Sequence, residues 1–477
     1  MKNNTEKPNI IFLMDDQHRH DAFSCIDGVT KTPTLDRLSQ EGVHFSQTVC
    51  QAPMCIASRN SMMLGLYPNQ IDVLRNEEGI PDDRLPNLPL VEHYRTAGYE
   101  TAGFGKTHWE IECGTRGFET RYIGECPEIG AVMMADKDPE LKRLYSEETA
   151  DYGAGEENNN GYLGRTSGID EICHRDGWVT RQCLDYLERR DDERPLFLYL
   201  SYLKPHAGHN VPTGFEELYD EDDIEIPEQP PWGIDVSPHA EGNNRNDMYI
   251  PFWSEASSDQ WKKMTLRYKA NCTWIDSMFG RVMELLKEKG LLENSLIVYL
   301  SDHGEMLGER YYRFNKYCLY ESSVRVPMIL SGSALPEQFK GTVDERNTEL
   351  TDMYTTLLTF SGIKVPKKNV GADLLDTSWQ RSGSFSALHE RKGEASFMWR
   401  DKDYKLIIFF ERKATISEYR ADDIIGGEFY DLSKDPREWK DLFSNENFDD
   451  IRNQMTKDLL NHMSSLPVYY QKGSPDE

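Results

Sequence analysis

The sequence predicts a doubly wound α/β domain on a large, mixed but mostly parallel sheet flanked by helices, followed by a smaller C-terminal α+β subdomain. Three observations carry this expectation: strand-length runs that are apolar throughout, helical patterns lying between them, and a change of composition beyond residue 375. A strand apolar on both faces has to be covered on both faces, as a central strand of a parallel sheet is. Alternation of such strands with helices marks a doubly wound domain.

The strand runs are NIIFLM at 9–14, ETAGFG at 100–105, PLFLYLSYL at 195–203, SLIVYL at 295–300 and VPMIL at 326–330. Helical patterns follow at TLDRLSQEGV after Pro33, LVEHYRTAGY ending near Gly98, VTRQCLDYLERR, and QWKKMTLRYKANCTWIDSMFGRVMELLKEK, which Gly290 closes. Two polar segments, 144–169 and 216–248, are too long for simple connections, and loops of that length commonly border a site. The stretch 375–395 is rich in serine, glycine and charge; after it come DYKLIIFF, GEFYDL and a helical pattern near 447–464. The expected division is a catalytic α/β domain over 1–375 and, over 376–477, a subdomain with a small antiparallel sheet and a helix.

With 38% hydrophobic and 11% aromatic residues in 477, the chain is globular and large enough for a sizeable core. A net charge of -28 argues against nucleic acid or an anionic membrane surface as partner, since both need a basic face. An anionic substrate therefore needs a local basic cluster, which works because screening over roughly 8 Å hides most of the distant acidic surface. There is no apolar run of about 18 residues to span a membrane. The start, MKNNTEKPNIIFLMDD, breaks its short apolar run with two aspartates, so the chain as written reads as cytoplasmic, or as periplasmic or secreted with a signal removed. Nine scattered cysteines without a CxxC pair argue against a disulfide framework or zinc site.

In open α/β sheets, ligands bind beyond the carboxyl ends of the strands. Asp15 and Asp16 follow the first run, Lys106 and His108 follow ETAGFG, Lys204 and His206 follow PLFLYLSYL, and Asp302, His303 and Glu305 follow SLIVYLS. Singly, each has an ordinary role: aspartates cap helices, loop lysines and histidines are solvated, and SDHG makes a turn. Cys55 alone reads as a small buried hydrophobe. Together the residues describe a metal and anion site, because carboxylates with an imidazole suit a hard divalent cation and basic groups around it suit a tetrahedral oxyanion.

PNIIFLMDDQ, C-x-A-S-R at 55–59, GKTHW at 105–109, KPH at 204–206, SDHGEMLGE at 301–309, NKYCLYESSVRVP at 315–327 and FYDLSKDPREWKDL at 429–442 resemble, in this order, the type I sulfatases of the alkaline phosphatase superfamily. The resemblance implies an alkaline-phosphatase-like fold and a sulfuric ester hydrolase. It implies that a maturation enzyme oxidises Cys55 to formylglycine, whose hydrated aldehyde is the nucleophile in a two-step covalent route. It also implies that Asp15, Asp16, Asp302 and His303, with residue 55, hold one divalent metal, calcium first and manganese or magnesium next. Lys106 and Lys316 would bind sulfate oxygens, His108 would orient the diol, and His206 would protonate the leaving oxygen. Arg59, at i+4 from Cys55 on a helix begun near Pro53, would hold the diol.

The chain departs from the common pattern at Ala57, where proline is usual, and at Leu64 and Leu66, where threonine and arginine are; both departures bear on maturation. His303 stands where asparagine is commoner, as in the branch with choline sulfatases and phosphonate monoester hydrolases. The expected substrate is a small-molecule or oligosaccharide sulfate ester. The alternatives are a phosphonate monoester or phosphodiester hydrolase and an unmatured, sulfatase-like binding protein. Lys204, Arg313 and His18 are candidate substrate-binding residues, with Arg19, His20 and Arg310 nearby in sequence, and Trp109, Trp232 and Trp253 are candidates for stacking on a sugar ring.

Overall fold

The structure, a computed structural model, describes residues 7–76, 79–109, 115–124, 139–153, 162–231, 249–389 and 393–471. Its strands are β1 (Asn9–Asp16), β2 (Val43–Phe45), β3 (Thr48–Val49), β4 (Glu100–Gly105), β5 (Thr120–Tyr122), β6 (Leu196–Pro205), β7 (Ser295–Ser301), β8 (Met328–Ser331), β9 (Thr342–Asp344), β10 (Thr348–Glu349), β11 (Ser384–His389), β12 (Glu394–Arg400), β13 (Tyr404–Glu411) and β14 (Ile424–Asp431). Among the described residues, one sheet has the order β5-β4-β6-β1-β7-β8-β2-β9. β1 is parallel to both β6 and β7, and β8 is antiparallel to both of its neighbours. A short β3–β10 pair and an antiparallel sheet, β11 to β14, complete the strands.

The apolar runs account for this layering. Ile10, Phe12 and Met14 of β1 enter one core with Phe197, Tyr199 and Val298, while Ile11 and Leu13 enter a second with Leu198, Leu200 and Tyr299. Residues two apart share a face, so a strand apolar at every position feeds two cores. Helices Cys55–Leu64, Leu90–Thr96 and Asp352–Phe360 cover the first face with Ile56, Met62, Leu90, Val91, Met353 and Leu357. Helices Pro33–Glu41, Arg175–Arg189 and Ser258–Glu288 cover the second with Leu35, Leu38, Trp178, Val179, Trp274 and Met278. The long helix Ser258–Glu288 starts in a capping box of Ser257 and Gln260. From its middle, Asp276 accepts the backbone N–H groups of Thr34 and Leu35 (3.0 and 2.8 Å), satisfying the start of a helix that has no side-chain cap of its own.

The small sheet alternates in the same way. Phe385, Phe397, Trp399, Leu406 and Ile408 pack under Met455, Leu459 and Met463 of helix Asp449–Ser465, while Leu388, Met398, Ile407 and Phe409 join the first core of the large sheet. A buried group of charges also crosses between them. Lys405 of β13 lies 2.8 Å from Glu321 Oε1 and 2.7 Å from Glu438 Oε1, and donates to the Leu319 carbonyl (3.0 Å). Arg400 holds both Glu321 oxygens (2.7 and 2.8 Å), and Glu438 Oε2 accepts the Glu321 N–H (2.7 Å). Burial raises the Glu321 pKa, but Arg400 and Lys405 outweigh it and hold the group well below the usual carboxylate range.

Two expectations are corrected. The stretch 375–395, read as a compositional break, contains β11, whose six residues are all buried; Ser384 and Ser386 interrupt its apolar pattern. The segment 144–169 is not all loop, because helix Pro139–Gly153 runs into it. Residues 154–161 and 232–248 of the two long polar segments, with Trp232, Cys113 and Cys126, lie outside the described residues.

Candidate active site

Strand register brings the polar ends together. Asp15 stands opposite Ser301 across β1 and β7, Asp16 opposite Pro205 across β1 and β6, and Gly105 opposite Ser201 across β4 and β6. Gly105 has a left-handed φ of 88°, and a Cβ there would collide with the Ser201 carbonyl oxygen. Only glycine fits, and the close approach lets Lys106 N–H reach that oxygen at 2.8 Å.

Cys55 is the first residue of helix Cys55–Leu64, after an extended Met54, and is 1% exposed. Among the described residues, ligand atoms of Asp16, Cys55, Asp302 and His303 all lie within 4.8 Å of one another. Cys55 Sγ is 3.2 Å from His303 Nε2, 3.2 Å from Lys316 Nζ and 3.9 Å from Asp16 Oδ1. Burial and Asp16 push the thiol pKa up, yet Lys106, Lys316 and His303 prevail and hold it well below the usual thiol range. Groups that favour an anion on sulfur would favour one on an oxygen in the same place.

Arg59 lies against the acidic cluster. Its fully buried guanidinium turns to the carboxylates: Nε donates to Asp302 Oδ2 (2.7 Å) and Nη2 to Asp16 Oδ2 (3.2 Å). Nη1 reaches the Lys106 carbonyl (2.8 Å) and Ser201 Oγ (3.0 Å). The Nε and Nη2 contacts tie it to two members of the acidic cluster around Cys55. Lys106 Nζ lies 2.5 Å from Asp16 Oδ2. His206 Nε2 accepts from the Lys316 ammonium (3.1 Å) and lies 4.0 Å from Asp16 Oδ1. Burial, then Lys316, lowers the His206 pKa well below 6.5 against the pull of Asp16. His108 shares the loop of Lys106, has a left-handed φ of 51° and is buried; Asn60 of the Cys55 helix holds the next carbonyl, of Trp109, at 2.8 Å.

The three residues proposed to bind substrate are placed otherwise. His18 is fully buried, with Nδ1 2.6 Å from Asp15 Oδ2 and Nε2 2.9 Å from the Ala22 carbonyl, so both ring nitrogens are occupied. Lys204 directs its ammonium to the carbonyl oxygens of Gly208 and His206, bracing the turn after β6. Arg313 lies over the Tyr320 ring, 5.6 Å from its centre. Trp109 and Trp253 are buried too, Trp109 stacked on Phe118 and Trp253 packed on Trp261. Sequence reasoning passed over Gln17, Tyr199, Ser201 and Tyr299. The last three sit inside or at the end of apolar strand runs, where two hydroxyls two residues apart, Tyr199 with Ser201 and Tyr299 with Ser301, were the available signal.

The acidic cluster suits a divalent cation by its own chemistry. Asp15 is outside the group of four, but Tyr299 and His18 both bond its Oδ2 while its buried Oδ1 has no hydrogen-bond partner among the described residues. An acceptor so placed needs a positive partner. Oxygen-rich donors with one imidazole fit calcium, manganese or magnesium better than zinc.

Residues 8–363 match the family model described as Sulfatase, and residues 308–465 match that of N-sulphoglucosamine sulphohydrolase, C-terminal. The chain is 27% identical over 486 residues to an arylsulfatase of Clostridium perfringens, covering 98% of this chain and 97% of that one. It is 24% identical to an N-acetylglucosamine-6-O-sulfatase of Bacteroides thetaiotaomicron, covering 100% and 89%. Its fold superposes on the phosphonate monoester hydrolase of Agrobacterium radiobacter with a TM-score of 0.74, at 20% identity over 95% of each chain. The mostly parallel sheet, the small C-terminal sheet and a family match across well over half the length agree: the chain belongs to the sulfatase family and is a sulfuric ester hydrolase.

Proposed function

We propose that this enzyme cleaves the sulfate ester of a sugar, with residue 55 oxidised to formylglycine. The observation that carries the reading is the position of Cys55, at a helix start, against Lys106, Lys316 and His303 and two buried aspartates. Asp16, Asp302, His303 and residue 55, with Asp15 through Oδ1, would hold one divalent cation, calcium by preference for its oxygen donors. When bound, such a cation would supply Lewis-acid stabilisation of charge developing on oxygen. Formylglycine supplies a hydroxyl as nucleophile in place of the thiol.

The chain's own residues do the rest. Arg59 holds Asp16 and Asp302 in place, while Lys106 and Lys316 neutralise sulfate oxygens. The Lys316 ammonium donates to His206 Nε2, so a proton for the leaving oxygen is held on this pair, with His206 at its partly exposed end. His206→Ala is expected to lower kcat/KM for a sugar sulfate by roughly 10²–10³-fold and for para-nitrophenyl sulfate by less than about 10-fold. A sugar alkoxide cannot leave readily without a proton, whereas a nitrophenolate can. Equal losses on both substrates would move the acid role to Lys316 alone or to His108.

The sugar rests on the likeness to an N-acetylglucosamine-6-O-sulfatase and on the polar composition of 144–169 and 216–248, which suits a hydroxyl-rich ligand. A phosphonate monoester or phosphodiester hydrolase is the second reading, favoured by His303 and by the likeness to the Agrobacterium enzyme. N-acetylglucosamine 6-sulfate, choline sulfate, para-nitrophenyl sulfate and a phenyl phosphonate ester, compared at equal concentration, decide between them. The expected order puts the sugar sulfate first in kcat/KM; a clear preference for the phosphonate ester would install the second reading.

A further inference from the structure

Gln17 follows the aspartate pair, is fully buried and has a left-handed backbone, φ 69°. All four of its polar groups are engaged. Its N–H donates to Asp302 Oδ1 (3.2 Å), its carbonyl accepts from the Tyr268 hydroxyl (2.8 Å), its Nε2 donates to Glu305 Oε2, and its Oε1 accepts from Lys316 Nζ (2.9 Å). The sense of the amide follows from its partners: an ammonium can only donate, so Oε1 must face Lys316 and Nε2 must face the carboxylate.

Glu305 is itself held. Its Oε1 accepts the N–H groups of Leu307 (2.9 Å) and Asn315 (2.5 Å), which close a turn between them. In that turn and just beyond it, Leu307, Arg310, Tyr311, Tyr312, Asn315 and Tyr317 all have positive φ, a conformation that residues with side chains keep only under constraint. Lys316 directly follows this turn. Its three N–H groups meet three acceptors: Cys55 Sγ at 3.2 Å, His206 Nε2 at 3.1 Å and Gln17 Oε1 at 2.9 Å. Residue 55 and His206 change bonding or protonation during turnover, and Gln17 does not, so Gln17 is the fixed leg of this tripod.

We infer that Gln17 is a positioning residue for the reaction: backed by Glu305, its amide carbonyl aims the Lys316 ammonium at residue 55 and the bound sulfate. The inference rests on the role proposed for Lys316, and the test separates the two. Gln17→Met, which keeps length and removes both amide contacts, is expected to lower kcat for para-nitrophenyl sulfate about 10- to 100-fold with KM changed less than about threefold, since a misaimed charge is lost mainly in the transition state. In a Lys316→Ala background the same substitution should change kcat by less than about twofold, because residues acting through one group are not additive. Gln17→Asn, one methylene too short to bridge Lys316 and Glu305, should behave alike and stands in if the methionine variant fails to fold; melting temperature reports folding in each case. Full activity of Lys316→Ala would overturn the reading of Lys316. A Lys316→Ala loss together with undiminished activity of both Gln17 variants, or a loss that multiplies with that of Lys316→Ala, would overturn the inference itself.

Discussion

Cys55→Ala is expected to be folded and inert. Removing a nucleophile costs on the order of 10⁶-fold in kcat where the remaining groups can only bind and polarise the substrate. The fold should survive, because a single sulfur is lost from a polar pocket and a cavity of that size costs about 1 kcal/mol. The surrounding cations also keep partners: Lys106 its ion pair with Asp16, and Lys316 its hydrogen bond to Gln17. Turnover of para-nitrophenyl sulfate and a melting curve give the two readings. Peptide mass spectrometry of the active protein completes the test, since an aldehyde in place of CH2SH lowers the mass of the fragment holding residue 55. Full turnover by protein whose residue 55 is intact cysteine would remove the formylglycine mechanism.

Loss of the acidic cluster should be nearly as damaging. Asp302→Ala is expected to lower kcat/KM by roughly 10³–10⁵-fold, the several kcal/mol that Lewis-acid stabilisation supplies. Exhaustive chelation of the unaltered enzyme should give a comparable loss, reversed by calcium, manganese or magnesium added singly. Asp302 also neutralises the buried Arg59, and stranding such a charge costs about 3–5 kcal/mol of stability. Asp302→Asn, which keeps the volume and a hydrogen-bond acceptor, separates loss of chemistry from loss of fold. Undiminished turnover by protein shown by elemental analysis to hold no divalent metal would refute the site.

Much of the fold was legible because β1, β6 and β7 are apolar at successive positions, a pattern that a strand tolerates only when both of its faces are covered. The polar residues after those strands were legible for the same reason, since register alone carries Asp16, His206 and Asp302 to one edge. Side-chain destinations were not. The i+4 spacing puts Arg59 on the face of Cys55 but says nothing of the two buried aspartates that bind its guanidinium. His18 looks solvated beside Arg19 and His20 until the strands pair and close over it. Gln17 shows its role only when Glu305 and Lys316, distant in sequence, arrive on either side of its amide.

The buried charges between the two sheets carry a consequence for the growing polypeptide. Cys55 and the aspartates of β1 emerge from the ribosome long before Lys405 and Glu438. Until those two dock, the Leu319 carbonyl and the Glu321 amide lack the partners that tie down the chain just beyond Lys316. On the proposed reading, an unfinished molecule carries residue 55 before it has a steady Lys316 beside it, and competence waits for the C-terminal subdomain to dock.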